Sequence, residues 1–166
     1  MIRAVLILTL GVYSSLLYAQ IQVSDPKFDH MLGELLDHSV PEVVPDDVQS
    51  TDTILFLDAR EKKEYEVSHL PEALWVGYDT FRKKSVSDSL KNKPIIVYCT
   101  VGYRSEKIAE KLIKRGFTNV KNLYGGIFEW VHTGKEVVNE NGPTQDVHTF
   151  DTEWAQWLRK GNKIHN

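Results

Sequence analysis

The chain has a single cysteine, Cys99, in 166 residues, so no disulfide can close within it and no framework of bridges holds the fold. Stability must come from a packed core, and the one thiol is either inert or functional. The six histidines, at positions 30, 38, 69, 132, 148 and 165, include no pair at helical spacing with a carboxylate between, so no metal is expected. There is no excess of positive charge either. Twenty Lys and Arg stand against 23 Asp and Glu, giving a net charge of -3, and no run of cations forms a stripe of the kind that tracks phosphates. Nucleic acid is therefore not expected as a partner. Internal repeats and low-complexity segments are also missing, which excludes solenoids and disordered linkers. What is present is 42% hydrophobic and 26% charged residues, the balance of one ordinary globular domain.

Residues 1–19 differ from the rest. One cation, Arg3, precedes an apolar stretch from Ala4 to Leu17, and Ala19 comes just before the chain turns polar. This is the layout of a secretory signal peptide, with cleavage expected after Ala19. An anchor helix is the other reading of such a stretch, but Gly11 interrupts the run and no cluster of Lys or Arg follows it. The expectation is an exported protein, periplasmic in a bacterium and otherwise secreted, with no stable membrane insertion after cleavage.

Residues 20–40 form an N-terminal helical segment, because Phe28, Met31, Leu32, Leu35 and Leu36 recur at three- and four-residue steps. Pro41 and Pro45 break the pattern. Continuous apolar runs follow at 54–57, 73–76 and 94–98, as suits strands covered on both faces of a parallel sheet. Ile108, Ala109, Leu112 and Ile113 make one apolar helical stripe, stopped near Gly116. A further strand is predicted over 119–124, then a tight turn at Gly125 and Gly126 and a short helix over 127–131. Alternating strands and helices give an α/β fold with a mostly parallel central sheet and helices on both faces. In the extension 136–166, Phe150, Trp154, Trp157 and Leu158 lie at helical spacing, with Asp151 as an N-cap. An extra C-terminal helix is expected there, docked back on the domain, or else offering Trp154 and Trp157 to a protein partner.

Cys99 sits where an apolar strand ends and just before an amphipathic helix. Free N–H groups and the positive end of the helix dipole stabilise a thiolate, a persulfide or an oxyanion at such a point, and the thiolate is the nucleophile. Gly102 lets the intervening loop curl its amides inward, and Arg104 adds a cation or a donor fork for an anion.

The run Cys99-Thr100-Val101-Gly102-Tyr103-Arg104-Ser105 resembles the active-site loop of a single-domain rhodanese, a sulfurtransferase. Leu57-Asp58-Ala59-Arg60 with Glu64 and Tyr65 resembles that family's early Asp-x-Arg strand end. His69-Leu70-Pro71-Glu72-Ala73 resembles its His-Ile-Pro-Gly-Ala turn, and Gly125-Gly126 with Trp130 its closing Gly-Gly and Trp. The matches cover about 41–135. Two positions depart from the pattern: Ser68 stands where the family usually has Gly, and so does Glu72.

The resemblance implies that the Cys99 thiolate takes the outer sulfur of a donor such as thiosulfate or a persulfide. It then passes that sulfur to a thiol or cyanide, without a cofactor and with ping-pong kinetics. The loop 100–105 would hold the persulfide, Arg104 would draw in an anionic donor, Ser105 would begin the helix, and Asp58 and Arg60 would shape the site from the adjacent strand end. Apart from the resemblance, residues 79–89 with Arg82, Lys83 and Lys84 read most simply as a solvated loop and helix start, and secondarily as cations bordering the pocket that favour anionic donors. Protein phosphatases of the same fold need five residues between cysteine and arginine, where four stand here. Arsenate reductases of this fold and a non-catalytic sulfur-carrier or binding module are the remaining alternatives.

Overall fold

Five parallel strands run through the centre of the computed structural model, which describes residues 22–48 and 53–165. The expected signal segment 1–19 lies outside the described residues. In chain order the sheet and its helices are α1 (Pro26–Leu35), β1 (Glu42–Val43), β2 (Leu55–Asp58), α2 (Lys62–Val67), β3 (Leu74–Trp75), β4 (Ile95–Tyr98), α3 (Tyr103–Lys114), β5 (Val120–Leu123) and α4 (Gly126–His132). The strands lie in the order β1-β5-β4-β2-β3.

The central strand β4 explains why the apolar runs show no alternation. All four of its residues are buried, with Ile95 and Val97 in one core cluster and Ile96 and Tyr98 in another. Ile108, Ala109 and Leu112 of α3 cover the first face, while Ile127, Phe128 and Trp130 of α4 belong to the core on the second. A parallel sheet clothed on both sides needs such strands. From β2 the chain moves to β3 and from β4 to β5, in opposite directions along the sheet. The carboxyl ends of β2 and β4 thus flank a topological switch point, where α/β folds leave a crevice for ligands. Asp58 ends β2 and Cys99 follows β4.

Both ends of the domain are tied to α4. Glu129 accepts a hydrogen bond from the Ser24 amide at 2.8 Å and lies 3.1 Å from His132 Nδ1. His132 Nε2 in turn accepts the Arg159 amide at 3.0 Å. A guanidinium nitrogen of Arg159 also reaches Asp25, 2.8 Å away.

The C-terminal extension differs from expectation. It begins with a hairpin of β6 (Val137–Asn139) and β7 (Gly142–Thr144) and continues with a parallel pair, β8 (Asp146–His148) and β9 (Asn162–Ile164). In place of the expected helix there is a four-residue 3-10 turn, Trp154–Trp157. The reason is geometric: β9 lies parallel to β8, so the chain between them must travel back along the strand pair, leaving little length for helix. Asp151 still caps the turn, accepting the amides of Glu153 and Trp154 at 2.9 and 3.0 Å. The segment docks as expected: Trp157 stacks on Phe28 at 5.8 Å and Leu158 is fully buried.

Candidate active site

The loop after β4 is short and every bend in it is held. Cys99 is buried, and the Gly102 amide donates to its Sγ at 3.2 Å. Gly102 has φ +125°, a conformation only glycine adopts without strain, and α3 starts at the next residue. The Gly102 carbonyl receives Asn122 Nδ2 at 3.1 Å and lies 3.0 Å from Ser105 Oγ, which is itself 2.7 Å from Asn122 Oδ1. Ser105 therefore sits in the first turn of α3 and does not begin it.

The first amides of α4 clamp the other side of the loop. Ile127 N–H donates to the Cys99 carbonyl at 2.9 Å and Phe128 N–H to that of Thr100 at 3.3 Å. Gly126 makes this approach achievable. A Cβ there would stand 2.5 Å from both carbonyl oxygens, and its φ is +57°.

Arg104 is not the free fork expected. Its two terminal nitrogens donate to the Glu64 carboxylate at 2.7 and 2.8 Å, and one also reaches Thr100 Oγ1 at 2.8 Å. Thr100 Oγ1 donates to the same carboxylate at 3.0 Å. Burial works against both charges. Their mutual bonding outweighs it, holding the Arg104 guanidinium above its ordinary range and the Glu64 carboxyl below its own. The cation is neutralised and its work is to brace the loop against α2.

Asp58 and Arg60 form a second ion pair, fully buried, with a nitrogen–oxygen distance of 2.6 Å. Arg60 also donates to the Ser68 carbonyl at 2.6 Å and lies over the Tyr98 ring. The pair knits the ends of β2 and β4 beneath the site and does not line the pocket.

Above Cys99 opens a pocket of about 320 Å³. Cys99, Thr100, Val101, Tyr103 and Arg104 form its floor and near wall. Leu35 of α1 and Phe150 and Trp154 of the extension complete it. Arg82, Lys83 and Lys84 are not among its lining residues, and Lys83 and Lys84 are exposed, as the simpler reading of a solvated segment has it. Two wider clefts, of about 750 and 760 Å³, contain no cysteine. Among the described residues, no group of His, Cys, Asp and Glu is placed to hold a metal ion.

The model of the rhodanese-like domain matches residues 41–133. The chain belongs to that family. Among curated relatives, the tRNA uridine(34) hydroxylase of Pectobacterium atrosepticum is 36% identical over 119 residues, covering 68% of this chain and 32% of that protein. The chain thus spans about a third of the length of the curated relatives it matches. Among solved structures, a Bacillus halodurans protein superposes with a TM-score of 0.55 at 26% identity, over 70% of this chain and 86% of that one. A rhodanese-related protein of Thermoplasma volcanium gives a TM-score of 0.55 at 25% identity, over 60% of this chain and 99% of that one.

The two departures from the rhodanese pattern have different physical weight. Glu72 lies at φ +58°, a left-handed conformation that glycine takes freely and glutamate does not. Ser68 is extended, at φ -170°, which any residue adopts, and its carbonyl anchors Arg60. Residues distant in sequence from the cysteine loop also build the site. Glu64 and Asn122 reach the loop from α2 and β5, and no local spacing pairs them with Arg104 or Gly102. Leu35, Phe150 and Trp154 come from outside the matched domain, where periodicity points only to a helical face and a docking helix.

Proposed function

We propose that this rhodanese-like protein is a sulfurtransferase acting through a persulfide on Cys99. The observation that carries the reading is the sulfur itself: Cys99 Sγ lies at the floor of a pocket, at the start of α3, with the Gly102 amide directed at it. In the first half-reaction the thiolate attacks the outer sulfur of thiosulfate, the S–S bond of the donor breaks, and sulfite leaves with the electron pair. Cys99 then carries a terminal sulfur with one negative charge, which the Gly102 amide and the start of α3 stabilise. In the second half-reaction a thiolate or cyanide attacks that sulfur, and the Cys99 thiolate returns as leaving group. No cofactor enters either step.

Phosphate and arsenate chemistry fit less well. Phosphatases of this fold need five residues between cysteine and arginine where four stand here, and the guanidinium of Arg104 is engaged by Glu64. The curated relatives are named for hydroxylation of a tRNA uridine, but they share only a third of their length with this chain. The net charge of -3 favours a small sulfur compound over tRNA as substrate. The apolar run 4–17 supports an exported location.

The test is steady-state thiocyanate formation with thiosulfate and cyanide varied together. Parallel double-reciprocal lines, with activity abolished in Cys99→Ser, are expected. Intersecting lines, or activity retained by the variant, would overturn the reading.

A further inference from the structure

Resting on the sulfurtransferase reading, we propose that the preferred sulfur donor carries an apolar organic group, an aryl or alkyl thiosulfonate or persulfide rather than inorganic thiosulfate. The C-terminal extension would then supply the selectivity through Phe150 and Trp154.

Charge supplies the first argument. A doubly negative inorganic donor needs a cation in the pocket, and Arg104 is the one cationic residue lining it among the described residues. Both of its terminal nitrogens are bound to Glu64, so the pair presents no net charge. The second argument is the wall. Leu35, Val101, Phe150 and Trp154 face the space above the sulfur, and Phe150 closes over the Arg104 guanidinium with 5.0 Å from its carbon to the ring centre. A site so lined gains little from an oxyanion and much from an apolar group that leaves water.

The conformation of Phe150 is a third, independent argument. Its φ is +69°, and the Asp151 amide closes on the Thr149 carbonyl at 2.9 Å, a three-residue turn of the rare, strained hand. The bond from its own amide to His148 Nδ1, 3.0 Å long, holds it there. Despite this, Phe150 is 45% exposed as a residue, so the strain is not repaid by burying it in the core. What the turn achieves is to set an aromatic ring at the rim of the cysteine pocket, and strain kept at such a place points to ligand contact. Size agrees: about 320 Å³ is roughly twice the ~150 Å³ cavity that holds a benzene ring.

With benzenethiosulfonate the balance is the same as with thiosulfate. The Cys99 thiolate bonds to the outer sulfur, the donor's S–S bond breaks, and benzenesulfinate leaves with the electron pair.

The experiment compares kcat/KM for benzenethiosulfonate and for thiosulfate with cyanide as common acceptor, in the full chain and in Phe150→Ala, Phe150→Leu and Trp154→Ala. Thermal unfolding of each variant is followed alongside. The wild type should prefer the aryl donor by about tenfold or more, the order of selectivity that one apolar contact supplies. Phe150→Ala and Trp154→Ala should each lower that ratio several-fold, and Phe150→Leu should restore most of it. Equal or better use of thiosulfate by the wild type, or a ratio unchanged in folded Phe150→Ala, would overturn the inference while leaving sulfur transfer intact. If neither donor places sulfur on Cys99, the sulfurtransferase reading itself falls, and this inference with it.

Discussion

Glu64→Gln isolates the brace beneath the cysteine loop. The carboxylate accepts four hydrogen bonds: two from Arg104, one from Thr100 Oγ1 and one from the Glu61 amide, at 2.7, 2.8, 3.0 and 2.9 Å. Gln keeps the shape but leaves the Arg104 charge uncompensated and turns an N–H toward another donor. Glu64 is 0% and Arg104 14% exposed at the side chain, so solvent can do little to replace the lost partner. Breaking a buried pair from one side costs about 3–5 kcal/mol. For a chain of this size that lowers Tm by about 6–20 °C. Urea denaturation of wild type and variant measures it. The pH dependence carries a sign. Glu64 is held below its ordinary value of 4.5, burial opposing and Arg104 outweighing it, so its stabilisation is complete above about 4.5 and drains away as pH falls further. The variant should lack that acid-side loss. Freed from Glu64, Arg104 should also lower the KM for thiosulfate. A stability change under ~1 kcal/mol, the level of an exposed pair, would refute the argument that this ion pair holds the loop.

Other perturbations probe separate parts of the molecule. Gly126→Ala drives a methyl group against the Cys99 and Thr100 carbonyls and should cost about 3 kcal/mol or more, with sulfur uptake lost; near-wild-type stability would show that α4 does not clamp the loop. Glu72→Gly removes a left-handed glutamate worth about 1–2 kcal/mol of strain, partly offset by the chain entropy of glycine, so denaturation should find it as stable as wild type or up to ~1 kcal/mol more so. His148 is fully buried, and burial pushes its pKa below 6.5, so the stabilisation of the neutral form is present above 6.5 and is lost as pH falls. A His148→Asn variant should therefore show a flatter stability profile than wild type between pH 7 and 5; identical slopes would contradict this. Trp157→Ala removes the stack of a half-buried ring on Phe28 and should cost about 1–3 kcal/mol, read as earlier proteolysis of the C-terminal segment; unchanged proteolysis would show that Trp157 does not anchor it.

The sheet and the cysteine loop were legible because their signals are local. Unalternating runs at 54–57 and 94–98 mark strands covered on both faces, and a cysteine between such a run and an amphipathic stripe marks a strand-to-helix turn. The bracing of that loop was not legible. Glu64 is separated from Arg104 by 40 residues and Asn122 from Gly102 by 20, so only the topology brings them together. The fork of Arg104 looked free because nothing in its own segment neutralises it. In the tail, the spacing of Phe150, Trp154, Trp157 and Leu158 matched a helix, yet the pairing of β8 with β9 leaves only one 3-10 turn. The hairpin of β6 and β7 turns at Glu140-Asn141, with Gly142 opening β7 at φ +105° and Pro143 confined to a strand with one partner.

Sulfur transfer by this route requires Cys99 to carry the sulfur between donor and acceptor. Intact mass spectrometry of the reduced protein, before and after thiosulfate or benzenethiosulfonate and again after cyanide, tests it most directly. The mass should rise by one sulfur atom, a gain absent in Cys99→Ser and reversed as thiocyanate appears. No gain from either donor, with Cys99 shown to be reduced and open to a small alkylating reagent, would contradict it.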